Sequence, residues 1–131
     1  MKTKVLHSCL RIAIEHNTPS KHPEWYAYKH FSFVIQQNRI VEWGTNRRGS
    51  ALTFLGYEPH QKIHSEVDAY FKARGIMTKG IPFEVVNIRL NKSHVLRASN
   101  PCRCCYQFLK NLGCKGIFFT TDIGKFARII F

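Results

Sequence analysis

"GIFFTTDIGKFARIIF", residues 116–131, holds two strand-like runs, "GIFFTT" and "KFARIIF", with only "DIG" between them. Both runs are rich in β-branched and aromatic residues, and the glycine between them suits a turn. Parallel neighbours in a sheet need a crossover of about a dozen residues or more, so a connection this short makes a hairpin. The last two strands are therefore expected to be antiparallel, and this choice separates the mixed α/β folds that the rest of the chain permits.

Upstream, "NPCRCCYQFLKNLG" (100–113) reads as a helix from about Cys102 to Leu112, with Pro101 at its start and Gly113 at its C-terminal cap. "IPFEVVNIRL" (81–90) is a strand, and "NKSHVLRASN" (91–100) continues it or turns back on it. "KIHSEVDAYFKARG" (62–75) reads as another helix. In "HFSFVIQQNRIVEWGT" (30–45), Phe31, Phe33 and Ile35 alternate with Ser32, Val34 and Gln36, giving two short strands around a turn at Gln37 and Asn38. Val5, Leu6, Cys9, Leu10 and Ala13 recur at helical spacing and mark an amphipathic first helix. Residues 46–63, with two glycines and a proline, read as a long connection. There are no internal repeats.

At 131 residues the chain is expected to form one domain, spanning 1–131. No stretch approaches the roughly 20 apolar residues needed to cross a bilayer. "MKTKVLHSCLRIAIEHN" is interrupted by His7, Ser8, Arg11 and Glu15, unlike a signal peptide, so an unprocessed cytoplasmic protein without membrane contact is expected. Twenty Lys and Arg against eight Asp and Glu give a formal charge of +12, whose physical reading is a polyanionic partner, nucleic acid. The five cysteines are odd in number and three fall at positions 102–105, which argues for metal ligation in a reducing compartment rather than a disulfide framework.

His64 and Glu66 stand two apart at the start of one helix, and Cys102 and Cys105 stand three apart, on one side of the first turn of another. One imidazole nitrogen and two thiolates make three ligands for a tetrahedral Zn2+ with the fourth position left to water, the pattern of a catalytic site. The helix N-terminus and the neighbouring Arg103 favour the thiolate form. Glu66 is the expected general acid and base. A structural zinc site would need a second pair of cysteines, and Cys9 and Cys114 are isolated. Cys9 is expected in the core and Cys104 as a buried thiol.

"HSE" (64–66) followed by "PCRCC" (101–105) resembles the His-x-Glu and Pro-Cys-x-x-Cys signature of the zinc-dependent cytidine deaminase superfamily. The resemblance implies an α/β protein with a three-layer α/β/α fold, in which a five-stranded mixed sheet lies between helices and the two motif helices bring His64, Cys102 and Cys105 to one zinc ion. It also implies hydrolytic removal of the amine at C4 of cytosine or C6 of adenine. Glu66 would move protons from water to the ring nitrogen and the departing ammonia. "WGTN" (43–46) is similar to the family's strand end whose asparagine holds the sugar, which makes Asn46 a candidate substrate contact.

In the tRNA adenosine and vertebrate polynucleotide members a helix separates the last core strands, and this chain lacks the residues for one. The chain is thus more similar to the free-nucleoside and toxin-like DNA cytosine deaminases. A nucleoside gains nothing from a +12 protein, whereas a DNA strand releases counterions to Lys and Arg. Trp25 and Tyr26, among basic residues, are candidates for stacking on unpaired or flipped bases, and Arg47, Arg48, Lys62 and Arg103 for substrate and phosphate contacts. The expectation is deamination of cytosine in nucleic acid, most of all DNA. The alternatives are a cytidine, deoxycytidine or deoxycytidylate deaminase, and a non-catalytic nucleic-acid-binding protein that retains the fold.

Overall fold

The computed structural model describes residues 1–18, 29–48 and 62–131. Trp25 and Tyr26 lie outside the described residues, and so do the side chains of Arg48 and Lys62.

Helix α1 (Thr3–Glu15) buries Val5, Cys9 and Ala13, four residues apart on one stripe. Strands β1 (Lys29–Gln36) and β2 (Arg39–Thr45) form the expected hairpin. Gln37 and Asn38 both have positive φ, 50° and 57°, the hand of a two-residue loop that matches the twist of its strands. The ends of the expected long connection pair as a short ladder, β3 (Arg47–Arg48) against β4 (Lys62–Ile63). Helix α2 (Ser65–Ala73) leads to β5 (Glu84–Leu90). The next segment turns back on β5: Asn91 Oδ1 accepts the N–H groups of Ser93 and Val95, and β6 (Leu96–Arg97) pairs antiparallel with the end of β5. Helix α3 (Arg103–Asn111) ends before Gly113, whose φ of +83° is the left-handed cap expected there. Strands β7 (Gly116–Thr120) and β8 (Phe126–Ile130) follow.

The strand order is β2-β1-β5-β7-β8, with β6 as a short sixth strand on β5. Among the described strands only β5 and β7 run parallel, joined by α3, and the β7–β8 pair is antiparallel as the short connection requires. Phe31, Phe33 and Ile35 of β1 and Val86, Ile88 and Leu90 of β5 pack against α1. Val34, Val85 and Ile117 point to the other face and meet Ala69 and Ala73 of α2 and Leu109 of α3. The sheet therefore lies between α1 and the α2/α3 pair, a three-layer α/β/α arrangement. On the α2/α3 face this apolar pattern is broken by Ser32 and Asn87, each 3% exposed or less, in line with the N-termini of α2 and α3. No helix of the described residues is long and apolar enough to cross a membrane.

Strand β2 and helix α2 approach at Gly44, where an added Cβ would stand 2.5 Å from the Ala69 nitrogen and 2.6 Å from Asp68 Oδ2. Backbone on one side and a buried carboxylate on the other leave it no room. Gly44→Ala is expected to destabilise the protein by about 1–3 kcal/mol, read from the urea midpoint at constant m-value.

Candidate metal centre and active site

His64 is the N-cap residue of α2 and Cys102 that of α3, so two of the three donors stand at helix entrances, with Cys105 one turn into α3. Cys102 Sγ accepts the Cys105 N–H at 3.4 Å, the bond expected of a capping side chain. His64 Nδ1 lies 3.6 Å from Cys102 Sγ and 3.5 Å from Cys105 Sγ, and all three donor atoms fall within 4.8 Å of one another. A tetrahedral ion with Zn–S of about 2.3 Å and Zn–N of about 2.0–2.1 Å sets nitrogen and sulfur about 3.5 Å apart. The donors stand at that spacing, and soft thiolates with one imidazole suit zinc. Hydrogen bonding from Cys105 is the main reason the Cys102 thiol is pulled down to about 4; the His64 ring and the Cys105 N–H assist, against the opposing effect of burial. Arg103, expected to share in this, is exposed, and the thiolate's stabilisation comes from Cys105 and His64. Cys9 is core as expected, its thiol pushed up to about 12 by burial. Cys104 is half-buried, short of the burial expected for it.

A cavity of about 230 Å³ opens beside the donors, lined by His64, Cys102, Ser65 and Glu66 and by His30, Asn46, Ile63 and Asn100. Pockets for drug-sized ligands run to roughly 300–1,000 Å³, so this one is the size of a single ring with its immediate substituents. Asn46 is thus in the pocket. Its Oδ1 accepts the His30 N–H at 3.0 Å, which leaves Nδ2 as its remaining side-chain donor. Arg47 is placed differently: its Nε binds Asp68 Oδ1 at 2.7 Å while the side chain stays 52% exposed.

Glu66 is 7% exposed. Burial holds its carboxyl above the ordinary range, opposed in part by a backbone hydrogen bond and by the charge of His64. Ser65 Oγ donates to Glu66 Oε1 at 3.1 Å and Asn87 Nδ2 donates to Oε2 at 3.2 Å. The orientation of the Asn87 amide is fixed, because Nδ2 also reaches the Ser99 carbonyl at 3.3 Å and a carbonyl only accepts. Asn87 Oδ1 must then accept from Ser32 Oγ, at 2.7 Å. Ser32 also touches Ser65 Oγ at 2.7 Å. A hydroxyl has one proton, so with Glu66 as a carboxylate two protons serve three contacts. A proton on Oε1 supplies the third: Glu66 then donates to Ser65, Ser65 to Ser32, and Ser32 to Asn87. Each protonation state of Glu66 has a complete or nearly complete set of partners, separated by one turn of the Ser65 hydroxyl.

Ser32, Ser65, Asn87 and Asp68 were not singled out by the sequence reading. Ser32 between Phe31 and Phe33, and Asn87 between Val86 and Ile88, are polar residues at inward strand positions, and that signal was available. Asp68 carries no such mark: its i,i+4 pairing with Lys72 is ordinary for a helix surface, and its other partners come from β2 and the segment after it.

No protein-family model matches the sequence, and no curated protein matches it. Solved structures do. Cytidine deaminase from Burkholderia pseudomallei aligns with a TM-score of 0.64 at 15% identity, over 99% of this chain and 93% of that one. The dCMP deaminase of the cyanophage S-TIM5 in apo form aligns with a TM-score of 0.57 at 17% identity, over 92% and 86% of the two chains. The same enzyme in complex with dCMP and dUMP gives 0.51 at 16%, over 88% and 79%. At such identities the likeness establishes the fold: the chain has the cytidine-deaminase fold and carries the His64, Cys102, Cys105 group within it.

Asp68, with its side chain 2% exposed, fastens the end of β2 to α2: it accepts the Thr45 N–H at 3.1 Å, Arg47 Nε at 2.7 Å and Lys72 Nζ at 3.2 Å. Burial works to raise its carboxyl, but Arg47, the Thr45 N–H and Lys72 together outweigh it and hold the group below the usual range. A depressed folded value means stability that is present above the unfolded value of about 3.9 and is lost as pH falls towards the folded one. Asp68→Asn is expected to cost about 1–3 kcal/mol at neutral pH. The gap between variant and wild type, from urea titrations at a series of pH values, should close below about pH 4.

Proposed function

We propose that this chain, with its cytidine-deaminase fold, is a zinc-dependent hydrolytic deaminase that converts cytosine to uracil. The observation that carries the reading is the buried Glu66 carboxyl, held on both oxygens and facing a ring-sized cavity beside three donors at zinc-ligand spacing. Zinc held by His64, Cys102 and Cys105 would acidify water, whose pKa a bound ion brings from 15.7 to about 7.

The chain's own residues handle the protons. Glu66 takes a proton on Oε1 from water as the Ser65 hydroxyl turns from it to Ser32, while Asn87 holds Oε2. It delivers that proton to the ring nitrogen next to the reacting carbon. It then carries the remaining hydroxyl proton to the departing amine, so that cytosine and water give uracil and ammonia. Burial suits this work, because a carboxyl held above its ordinary range is a stronger base towards the proton of water. Asn46 lines the cavity, where it would contact the sugar.

The favoured substrate is cytosine in a polynucleotide, DNA before RNA. The support is the charge of +12, far beyond what a small neutral substrate would use. The cavity is recessed between β1 and the N-termini of α2 and α3, so a base within a duplex would leave its stack to enter. A second reading, a free nucleotide or nucleoside as substrate, is favoured by the likeness to deaminases of dCMP and cytidine.

Glu66→Gln is expected to lower cytosine-to-uracil conversion by a factor of about 10²–10⁴ while one zinc per chain is retained. Turnover preserved in that variant would remove Glu66 from its role. Matched DNA and RNA oligonucleotides, cytidine and deoxycytidylate, each assayed at two salt concentrations, separate the substrate readings. Conversion that is confined to polynucleotide and falls with salt supports the first, and salt-insensitive conversion of the small substrates supports the second.

A further inference from the structure

The row of side chains that holds Glu66 has a second row beside it. Ser32 and Asn87 are register partners on β1 and β5 and face α2 and α3. Two residues along, about 7 Å towards the C-terminal end of β5, the same face carries His30, Arg89 and Arg97, aligned across β1, β5 and β6. The facing is fixed independently: Leu90 and Leu96, the chain neighbours of the two arginines, pack into the α1 cluster, so Arg89 and Arg97 project the other way. His30, at one end of the row, lines the Glu66 cavity.

Like charges directly opposite each other in an antiparallel pair repel, and Arg89 faces Arg97. Arg89 Nη1 donates to the Ala98 carbonyl at 3.3 Å, which sets its guanidinium beside the segment that leads to Cys102. Arg97 Nε is buried without a hydrogen-bond partner, and no carboxylate among the described residues is ion-paired with Arg97. The acids on neighbouring segments are engaged elsewhere: Glu66 with Ser65 and Asn87, and Asp122 Oδ1 with the Ala98 N–H. A buried donor beside a second guanidinium, two residues along the sheet from the Glu66 anchor, is the chemistry of a phosphate site.

We propose that Arg89 and Arg97 form an anion subsite at the edge of the cavity that takes the phosphate attached to the cytosine nucleoside. The ligand chemistry is a phosphate ester, the monoester of a free nucleotide or the diester of a polynucleotide. The proposal rests on the reading of the cavity as a cytosine site.

The test uses zinc-loaded Glu66→Gln protein, so that ligands persist, and measures binding by calorimetry. Probes are cytidine, deoxycytidylate, a deoxycytidine trinucleotide and inorganic phosphate, each with and without Arg97→Ala. Deoxycytidylate or trinucleotide affinity should fall about tenfold while cytidine affinity stays within about twofold, and the trinucleotide's salt slope should shrink by about 0.7 for a lost phosphate contact. Loss for the monoester points to a free nucleotide, and loss for the trinucleotide alone to a polynucleotide. Arg97→Lys, which keeps the charge without the fork, should fall between wild type and Arg97→Ala and guards against misfolding. Equal loss for cytidine and its phosphates, or no loss for any probe, overturns the subsite. Arg97-dependent binding of inorganic phosphate by protein that ignores cytidine would uphold the subsite and overturn the cytosine reading.

Discussion

Two helix entrances meet at one point in this protein, and the site depends on how that meeting is made tolerable. The N-termini of α2 and α3 each carry partial positive charge from unpaired N–H groups, and bringing them together is unfavourable unless negative charge sits between them. Helix α2 supplies Glu66 and Asp68 in its first turn, whereas α3 has no acidic residue there. On α3 the Cys102 thiolate takes that place, capping its own helix through the Cys105 N–H. The groups that relieve the electrostatic conflict are thus the groups proposed to hold the metal and move the proton, and the sheet order that places β5 beside β7 brings the two entrances together.

The sheet beneath them serves the same end. Mid-strand on β1 and β5 the buried positions are apolar except at Ser32 and Asn87, and those two tie the Glu66 carboxyl to the two central strands. Asp68 fixes the other side by drawing Thr45 and Arg47 to α2, which confines Asn46 between them. Twenty Lys and Arg against eight Asp and Glu leave the protein strongly cationic even after Asp68 pairs with Arg47 and Lys72 and Glu84 with Arg128. That bears on partners rather than on fold.

Features encoded over a few residues were legible in the sequence. The β1–β2 turn, the C-cap at Gly113 and the β7–β8 hairpin follow from local spacing and backbone chemistry, whereas the meeting of His64 with Cys102 and Cys105 was implied by the resemblance to the deaminase signature. What required the structure depends on register between distant segments. Ser32 meets Asn87 across 55 positions, and Arg89 meets Arg97 only because Asn91 closes a turn that the sequence left open to either reading. The β3–β4 ladder was likewise hidden in a segment that reads as loop, since a two-residue pairing has no periodicity to detect.

His64, Cys102 and Cys105 are proposed to share one zinc ion whose fourth position is left to water. X-ray absorption at the zinc edge, on protein loaded with one equivalent of zinc, tests it most directly. The proposed site requires a shell of two sulfurs at about 2.3 Å, one nitrogen at about 2.0–2.1 Å and one further light atom. A shell of four sulfurs, or zinc that does not stay with the protein, would contradict it.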